Sequence, residues 1–538
     1  MDLELAIAQK FMVSFIGMMP SSAIMRAIRE RRVAGVTLFR EANVQDPGQV
    51  RELTQRLQQA ARQAGMPPLL IAADQEGGQL LAIGEEVTLF PGNMALVATG
   101  SAELAYRAGE VIGRELAAMG INVNYAPVCD VNTNPWNPVI GVRSFGEDPY
   151  QVAELTAAFI QGIQSTGVVA TAKHFPGHGD TQEDSHFTLP ILNHDLQRLE
   201  QVEFIPFRAA IAAGVRMIMT AHLAIPAITG RHDLPATLAP EALRGILRER
   251  MGFEGVIITD ALTMKAIRRT TTTASLGLDA IAAARAGADL LLFGPEPFDW
   301  EEVFQALLQA AHRGILESED LLGSGERVIR LRESVTGLEM PDLSVVGCAA
   351  HRSVAEEIAR QSVTLIRNHR NQLPLAPGLE TPIAVVMPRP VDLTPADTSS
   401  FVRPILADAL RRYHPRVDEF AISINPDAAE IAALRESLFP YPIVVLGTIN
   451  AFQQSGQAEL VRVLLKEKDV VIWAALRLPY DLQVAPGAPT YLCTYSILPT
   501  SLEALAALIT GNLSPKGRLP VTIPGLHPRG HGLSDFRD

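Results

Sequence analysis

Two segments of the 538-residue chain carry side chains whose type and spacing could do nucleophilic and acid/base chemistry. The first is Thr259-Asp260, at the end of the run GVIITDA. GVIIT is apolar enough to be buried on both faces, which would leave the Asp260 carboxylate modestly solvated at the end of a strand. A carboxylate is a competent nucleophile toward an anomeric carbon, because negative charge beside an oxocarbenium-like transition state stabilises its developing positive charge. A plain helix-capping role for Asp260 is the alternative, but the following ALTMKAIRRTTTTAS does not begin a clean helix. The second segment is Asp184-Ser185-His186, within KHFPGHGDTQEDSH. There a carboxylate stands two residues from an imidazole, close enough for Asp184 to hold the ring and raise its basicity. A histidine so held could protonate a leaving oxygen and later deprotonate water. Together the two segments describe a hydrolase working through a covalent intermediate. The same loop also invites a metal reading, since His174, His178, Asp180 and His186 fall within thirteen positions. Against it, KFMVSFIG lacks the HxH pair that metal-dependent amidohydrolase barrels carry after their first strand, and a Pro-Gly pair stands between His174 and His178. The expectation is no metal and no cofactor.

Such residues need a frame that brings them to one rim. To about residue 335, short apolar runs alternate with helical patterns: FMVSF, GVTLF, PPLLIAAD, INVNYAP, GVVATAKHF, RMIMTAH, GVIITDA and ADLLLFG. Eight runs, most followed by a segment such as AELAYRAGEVIGRELAAMG, predict a (β/α)₈ barrel. Barrel enzymes build their sites at the C-terminal ends of the strands. Strand three ends in Asp74, strand five in Lys173-His174, strand six in Thr220-Ala221-His222 and strand seven in Thr259-Asp260, so four of eight strands send ionisable groups to that rim. The predicted division is a barrel over 1–335, a Gly/Pro-containing linker over 336–353 and a smaller three-layer α/β/α sandwich over 354–538. In the sandwich, TPIAVVMP, YPIVVLGTIN, KDVVIWAAL and PTYLCTYS read as strands, after a helix that runs into TLIRN. It contains neither GxGxxG nor a Walker lysine loop.

Composition removes other classes of function. Hydrophobic residues make up 47% and mean hydropathy is +0.14, which is the composition of a folding chain. Net charge is −13, from 46 Lys+Arg against 59 Asp+Glu, with no basic run to track phosphates, so nucleic acid is not expected as a partner. Three scattered cysteines, Cys129, Cys348 and Cys493, allow neither a disulfide framework nor a CxxC site. The N-terminal stretch lacks a basic n-region, and no apolar run reaches the roughly 18 residues of a membrane span. A cytoplasmic chain without membrane contact is expected. The sequon at Asn512 reads as an ordinary helix-terminal asparagine. Oligomeric state is not written in these features.

KHFPGHGDTQEDSH, with DQEGG upstream and ITDALTM downstream, resembles the signature set of glycoside hydrolase family 3, and more narrowly its β-N-acetylglucosaminidase branch. YAPVCDVNTNP, VIGVRSFGEDP, MTAH, DLPATLAPEALRGILRERMGFEG and AGADLLL follow the family's order, and NQLPLAP and SPKGRLPVTIPG extend the likeness into the second domain. The resemblance implies that Asp260 is the catalytic nucleophile, His186 the acid/base and Asp184 its dyad partner. It places Asp74, Arg143, Lys173 and His174 at sugar-binding positions. It also implies a two-domain, cofactor-free, retaining exo-glycosidase that removes terminal β-linked N-acetylglucosamine, from muropeptides or similar oligosaccharides, in bacterial cell-wall recycling. The histidine acid/base leaves phosphorolysis open, because a neutral or cationic imidazole repels an incoming phosphate less than a carboxylate does. A β-glucosidase-like hydrolase and a non-catalytic sugar-binding protein are the remaining alternatives. One departure stands out. The family pattern DQEGGRVxR reads DQEGGQLLA here, so Gln79 and Ala82 replace two arginines, the second of which usually contacts substrate.

Overall fold

The computed structural model of the chain describes residues 1–84, 86–267, 273–296 and 299–537. Its first part carries strands β1 (Phe11–Val13), β2 (Gly35–Leu38), β3 (Leu70–Ala73), β4 (Gln75–Gly77), β5 (Leu80–Leu81), β6 (Val123–Asn124), β7 (Val169–Phe175), β8 (Met217–Thr220), β9 (Val256–Ile258) and β10 (Leu291–Leu292). β4 and β5 form a small antiparallel hairpin, while the other eight make one parallel sheet in the order β10-β1-β2-β3-β6-β7-β8-β9. A parallel bridge between Ile258 and Leu290 joins its two ends and closes the barrel. Each of the eight predicted runs supplies one strand. Their apolar character is continuous rather than alternating because both faces are buried. Met12, Leu70, Ala72, Val123, Val169, Met217 and Val256 point into the barrel's own core. Their neighbours Phe11, Val13, Ile71, Ala73, Ala170, Ile218 and Ile257 pack outward against the helices. The helix Ala102–Ala118 shows how the return segments are punctuated. Ser101 accepts from the Leu104 amide at its start, and Gly120 takes φ +77° just beyond its end.

The second part is a six-stranded sheet of β11 (Thr364–Asn368), β12 (Ile383–Pro388), β13 (Val417–Ile422), β14 (Ile443–Thr448), β15 (Val470–Ala475) and β16 (Thr490–Cys493). The order is β11-β16-β15-β14-β12-β13, parallel except for β11 against β16. β13 was not among the expected strands. Its sequence VDEFAI exposes Asp418 and Glu419, the charged pattern of an edge strand that must not recruit another strand. Alternation along the central strands feeds two cores. Ile383, Val385, Val445 and Ile472 face the helices Leu406–Arg411 and Pro499–Ile509. Ala384, Val386, Val444, Val471 and Trp473 face the helices Ala428–Ser437 and Ser455–Glu467. This is the three-layer sandwich.

The barrel contributes directly to that second core, through Met94, Ala95 and Ala98 of the helix Asn93–Thr99 and through Val142. Between the helices Ser318–Ser334 and Ala349–Ser362 the chain is held by the buried Glu115 carboxylate. Glu115 accepts from the Gly347 amide (2.9 Å) and His351 Nδ1 (2.8 Å), as well as from Thr88. The predicted linker therefore runs as a fastened strap, and its last residues already belong to the helix Ala349–Ser362.

Candidate active site

A cavity of about 990 Å³ opens at the C-terminal rim of the barrel, lined by Asp74, Arg143, Lys173, His174, His186 and Asp260. Asp74 directly follows β3, Lys173 and His174 lie in β7, and Asp260 comes two residues after β9. The six residues thus converge from four strands and their loops. Asp260 Oδ1 accepts from the Ala261 amide at 2.7 Å. Burial pushes its carboxyl up, but the imidazoles of His222, His174 and His186 outweigh this and hold it below the usual carboxylate range. His222 sits fully buried beneath it, hydrogen-bonded through Nε2 to the Ala261 carbonyl (3.1 Å) and through Nδ1 to Thr237 (2.9 Å). Residues 262–267 after Asp260 form turns, and the helix Thr273–Ala286 comes later. The part of the ALTMKAIRRTTTTAS stretch at 268–272 lies outside the described residues.

The floor of the cavity is a charge lattice that spacing alone did not reveal. Glu76 is buried and takes Arg143 bidentately, with Nε to Oε2 at 2.9 Å and Nη2 to Oε1 at 2.8 Å. Lys173 Nζ bridges Glu76 Oε1 and Asp74 Oδ1, both at 2.6 Å. Burial pushes the Glu76 carboxyl up, yet Arg143 and Lys173 overcome it and bring it down to about 2. Burial works against the Lys173 ammonium, and Asp74 and Glu76 hold it above its ordinary value. Much of Arg143 is therefore spent on Glu76 and on the Val139 carbonyl, a bracing role in addition to facing the cavity. A second hidden carboxylate, Asp130, receives His174 Nδ1 at 2.7 Å and the backbone amides of His174 and His178. Glu76 stands within DQEGG and Asp130 within YAPVCDVNTNP. The signal for both was an acidic residue beside apolar strand ends.

His186 comes from the long loop after β7, and its Nδ1 lies 2.6 Å from Asp184 Oδ1, which also accepts the His186 amide at 2.9 Å. Burial raises the Asp184 carboxyl, and the His186 hydrogen bond more than reverses that. The loop is pinned by His178, whose ring nitrogens meet Thr181 Oγ1 (2.8 Å) and Ser185 Oγ (3.0 Å). Burial lowers the His178 imidazole to about 4, so it is a neutral strut. Gly177, at φ +128°, and Gly179 permit the close turn, since a side chain at Gly179 would collide with the Val131 carbonyl. The residues of the metal reading separate here: His174 goes to Asp130, His178 to Thr181 and Ser185, Asp180 to His194 and His186 to Asp184. Among the described residues no three His, Cys, Asp or Glu side chains gather into a metal-binding group.

Two contributors go beyond the residues singled out in the sequence, which left the second domain either packed beside the barrel or lending the site a loop. Residues 392–398, after β12 of the sandwich, form part of the cavity wall, so the second domain lends the site a loop. Gln79 secures that loop, donating Nε2 to the Ala396 carbonyl (3.1 Å) while its own carbonyl accepts from the Thr398 amide and hydroxyl. The other contributor is Arg40, just past β2, which brings a charge from strand two to the rim as well. Its guanidinium stacks 4.1 Å over Phe401 of the second domain, and a side chain at Gly84 would collide with it. Where the family pattern has arginines, this chain has a loop clasp at Gln79 and a buried methyl at Ala82, while a guanidinium reaches the cavity from a different loop.

Residues 2–331 match the sequence profile of the glycosyl hydrolase family 3 N terminal domain. The chain belongs to glycosyl hydrolase family 3. It is 32% identical to β-hexosaminidase A of Pseudoalteromonas piscicida over 557 aligned positions, spanning 91% of this chain and 89% of that one. The solved family 3 β-N-acetylglucosaminidase from Paenibacillus sp. str. FPU-7 superposes with a TM-score of 0.90 at 37% identity, covering 97% of this chain and 99% of the other. These matches place the chain in the family's β-hexosaminidase branch, in its two-domain form. A β-glucoside phosphorylase superposes with a TM-score of 0.81 at 24% identity over 97% of this chain and 95% of its own, and shares the fold.

Proposed function

We propose that this family 3 enzyme is a retaining exo-β-N-acetylglucosaminidase. The supporting observation is the Asp184–His186 pair on the same cavity as Asp260, with a separate lattice of Asp74, Arg143, Lys173 and His174 beside them. In this reading the lattice groups and Asp74 engage sugar hydroxyls, Asp260 attacks the anomeric carbon, and His186 donates a proton to the departing oxygen. With Nδ1 engaged by Asp184, it is Nε2 that exchanges the proton. In the second step His186 removes a proton from water, which attacks the glycosyl-Asp260 ester and releases the sugar with its original configuration. Asp184 stabilises the imidazolium that enters the first step and is regenerated by the second, and it keeps Nδ1 protonated while the neutral ring acts as base in between.

The test is a leaving-group series. His186→Ala should slow substrates with poor leaving groups by about 10²- to 10⁴-fold, and activated aryl glycosides much less, with azide restoring part of the loss. Equal slowing of both would remove His186 from the acid/base role. Release of p-nitrophenol from the β-N-acetylglucosaminide should also exceed release from the β-glucoside. Phosphorolysis is the second reading, favoured by the imidazole acid/base, and a sugar 1-phosphate formed in phosphate buffer would establish it. Muropeptide substrates and a cytoplasmic role in wall recycling are part of the proposal through the family resemblance. Among the described residues no helix is long and apolar enough to cross a membrane.

A further inference from the structure

A second depression, of about 330 Å³, adjoins the catalytic cavity and meets the residues of the mechanism above only at Asp184. Val139, Ile140, Phe187, Leu393 and Thr394 wall both spaces, so the two are neighbours across the His186 loop. The far side belongs to the sandwich, in the turn after β14 with Asn450, Gln453 and Gln454. That location has a topological cause. The chain leaves β12 toward a helix in one core of the sandwich, Leu406–Arg411, and leaves β14 toward a helix in the other, Ser455–Glu467. The two loops part at adjacent strands, which opens a crevice at the C-terminal edge of the sheet, the place where open α/β sheets bind ligands. Here that crevice faces the barrel's rim.

We infer that this groove is a sugar-binding subsite for the leaving-group side of the substrate, and that it takes a neutral hexosamine unit rather than an acidic one. The inference rests on the glycosidase reading and adds a chemical class to it. The class follows from the lining. Its charged members are already engaged, Asp184 by His186, and Arg477 by Asp397 (2.8 Å) and Ser399 (3.1 Å). What faces the space otherwise is uncharged: apolar surface from Val139, Ile140, Phe187 and Leu393, and amides from Gln453 and Gln454, whose donors and acceptors match sugar hydroxyls and an N-acetyl group. The wall also holds two oxygens without a hydrogen-bond partner, Asp184 Oδ2 and Thr394 Oγ1. Next to Asn137 of the wall, Trp136 is 56% exposed, with its ring 5.0 Å from Phe452, the neighbour of Gln453. An exposed indole beside amides is suited to stacking on the apolar face of a pyranose while the hydroxyls bond laterally.

Two measurements test this. The first compares kcat/KM for the β-1,4-linked N-acetylglucosamine trisaccharide with that for the aryl β-N-acetylglucosaminide. The double variant Gln453→Ala/Gln454→Ala should lower the trisaccharide-to-aryl ratio about 10-fold, as expected for two lost hydrogen bonds. An unchanged ratio overturns the groove, as does a loss seen with an anionic aglycone in place of the neutral one. The second is a titration of the intact protein with the same trisaccharide, read by tryptophan fluorescence. Of the three tryptophans Trp473 is buried and Trp136 is the exposed one, so the signal should disappear in Trp136→Phe. A signal that persists there, or none in the natural chain, also overturns it. Absence of aryl glycoside turnover would sink the glycosidase reading instead, and the fluorescence titration would still decide the groove.

Discussion

The barrel and the sandwich both turn the C-terminal ends of their strands toward the same space, but they furnish those ends differently. The barrel's rim carries ionisable groups held by buried partners: Asp74 by Lys173, Lys173 in turn by Glu76, His174 by Asp130, His186 by Asp184. The sandwich's rim carries amides, the closed ion pair of Arg477 with Asp397, and the Asp392 carboxylate, which accepts from the Ser400 amide and hydroxyl. Bond cleavage needs charge that is fixed before the substrate arrives, so the barrel bears the cost of burying a lattice. Recognition of a hydroxylated unit needs directional neutral donors and acceptors, which the sandwich can hold without such a lattice. The contrast extends to their buried carboxyls. Glu76 is drawn down to about 2 by two cations against the effect of burial, whereas no cation among the described residues offsets the burial of Asp481, which lifts it to about 6.

The largest break in this comparison should come from Asp260→Asn. If covalent chemistry belongs to the barrel alone, turnover of aryl glycosides and oligosaccharides should fall together, by about 10⁴-fold or more, in steady-state assays. Glu76→Gln should come next. It leaves Arg143 and Lys173 short of their shared carboxylate and should cost about 3 kcal/mol at pH 7 in urea unfolding. Because the Glu76 carboxyl is depressed on folding, its contribution is complete above the unfolded value of about 4.3 and is lost as pH falls through about 2. The gap between variant and natural chain should close over that window.

Asp481 should show the opposite sign. Its folded value is raised, so ionisation destabilises the fold as pH climbs from the unfolded value of about 3.9 through about 6, by up to about 3 kcal/mol. Asp481→Asn should flatten that part of the stability profile, and a profile as steep as the natural one would show that the carboxyl does not titrate there. The smallest effect concerns the seam. Gln79→Ala removes one hydrogen bond to the Ala396 carbonyl, worth about 1 kcal/mol, and should raise KM several-fold while leaving kcat nearly constant. A fall in kcat with KM unchanged would mean that the 392–398 loop acts on the chemistry itself.

Much of this architecture is written locally. Eight apolar runs at βα spacing predict eight strands because a barrel strand buried on both faces must be apolar throughout, and that demand is visible in the sequence. Asp260, Asp184 and His186 could be singled out because each stands at or near the end of such a run, or two residues from its partner. β13 escaped notice because an edge strand buries little and so carries a weak pattern, as the exposed Asp418 and Glu419 show. Glu76 and Asp130 could be seen as acidic residues, but not as the partners of Arg143, Lys173 and His174, which lie far along the chain.

Only the tertiary structure decided what surrounds the chemistry. That Gln79 fastens a loop more than three hundred positions away, and that Arg40 reaches the cavity over Phe401, depends on how two separately folded cores meet. Residue type and short spacing determine which strands form and which groups can donate, accept or attack, because these follow from burial and bond geometry within a few residues. Which groups share a cavity is set by packing between distant segments, through the apolar seam of Met94, Ala95, Ala98 and Val142, and no local pattern encodes that meeting.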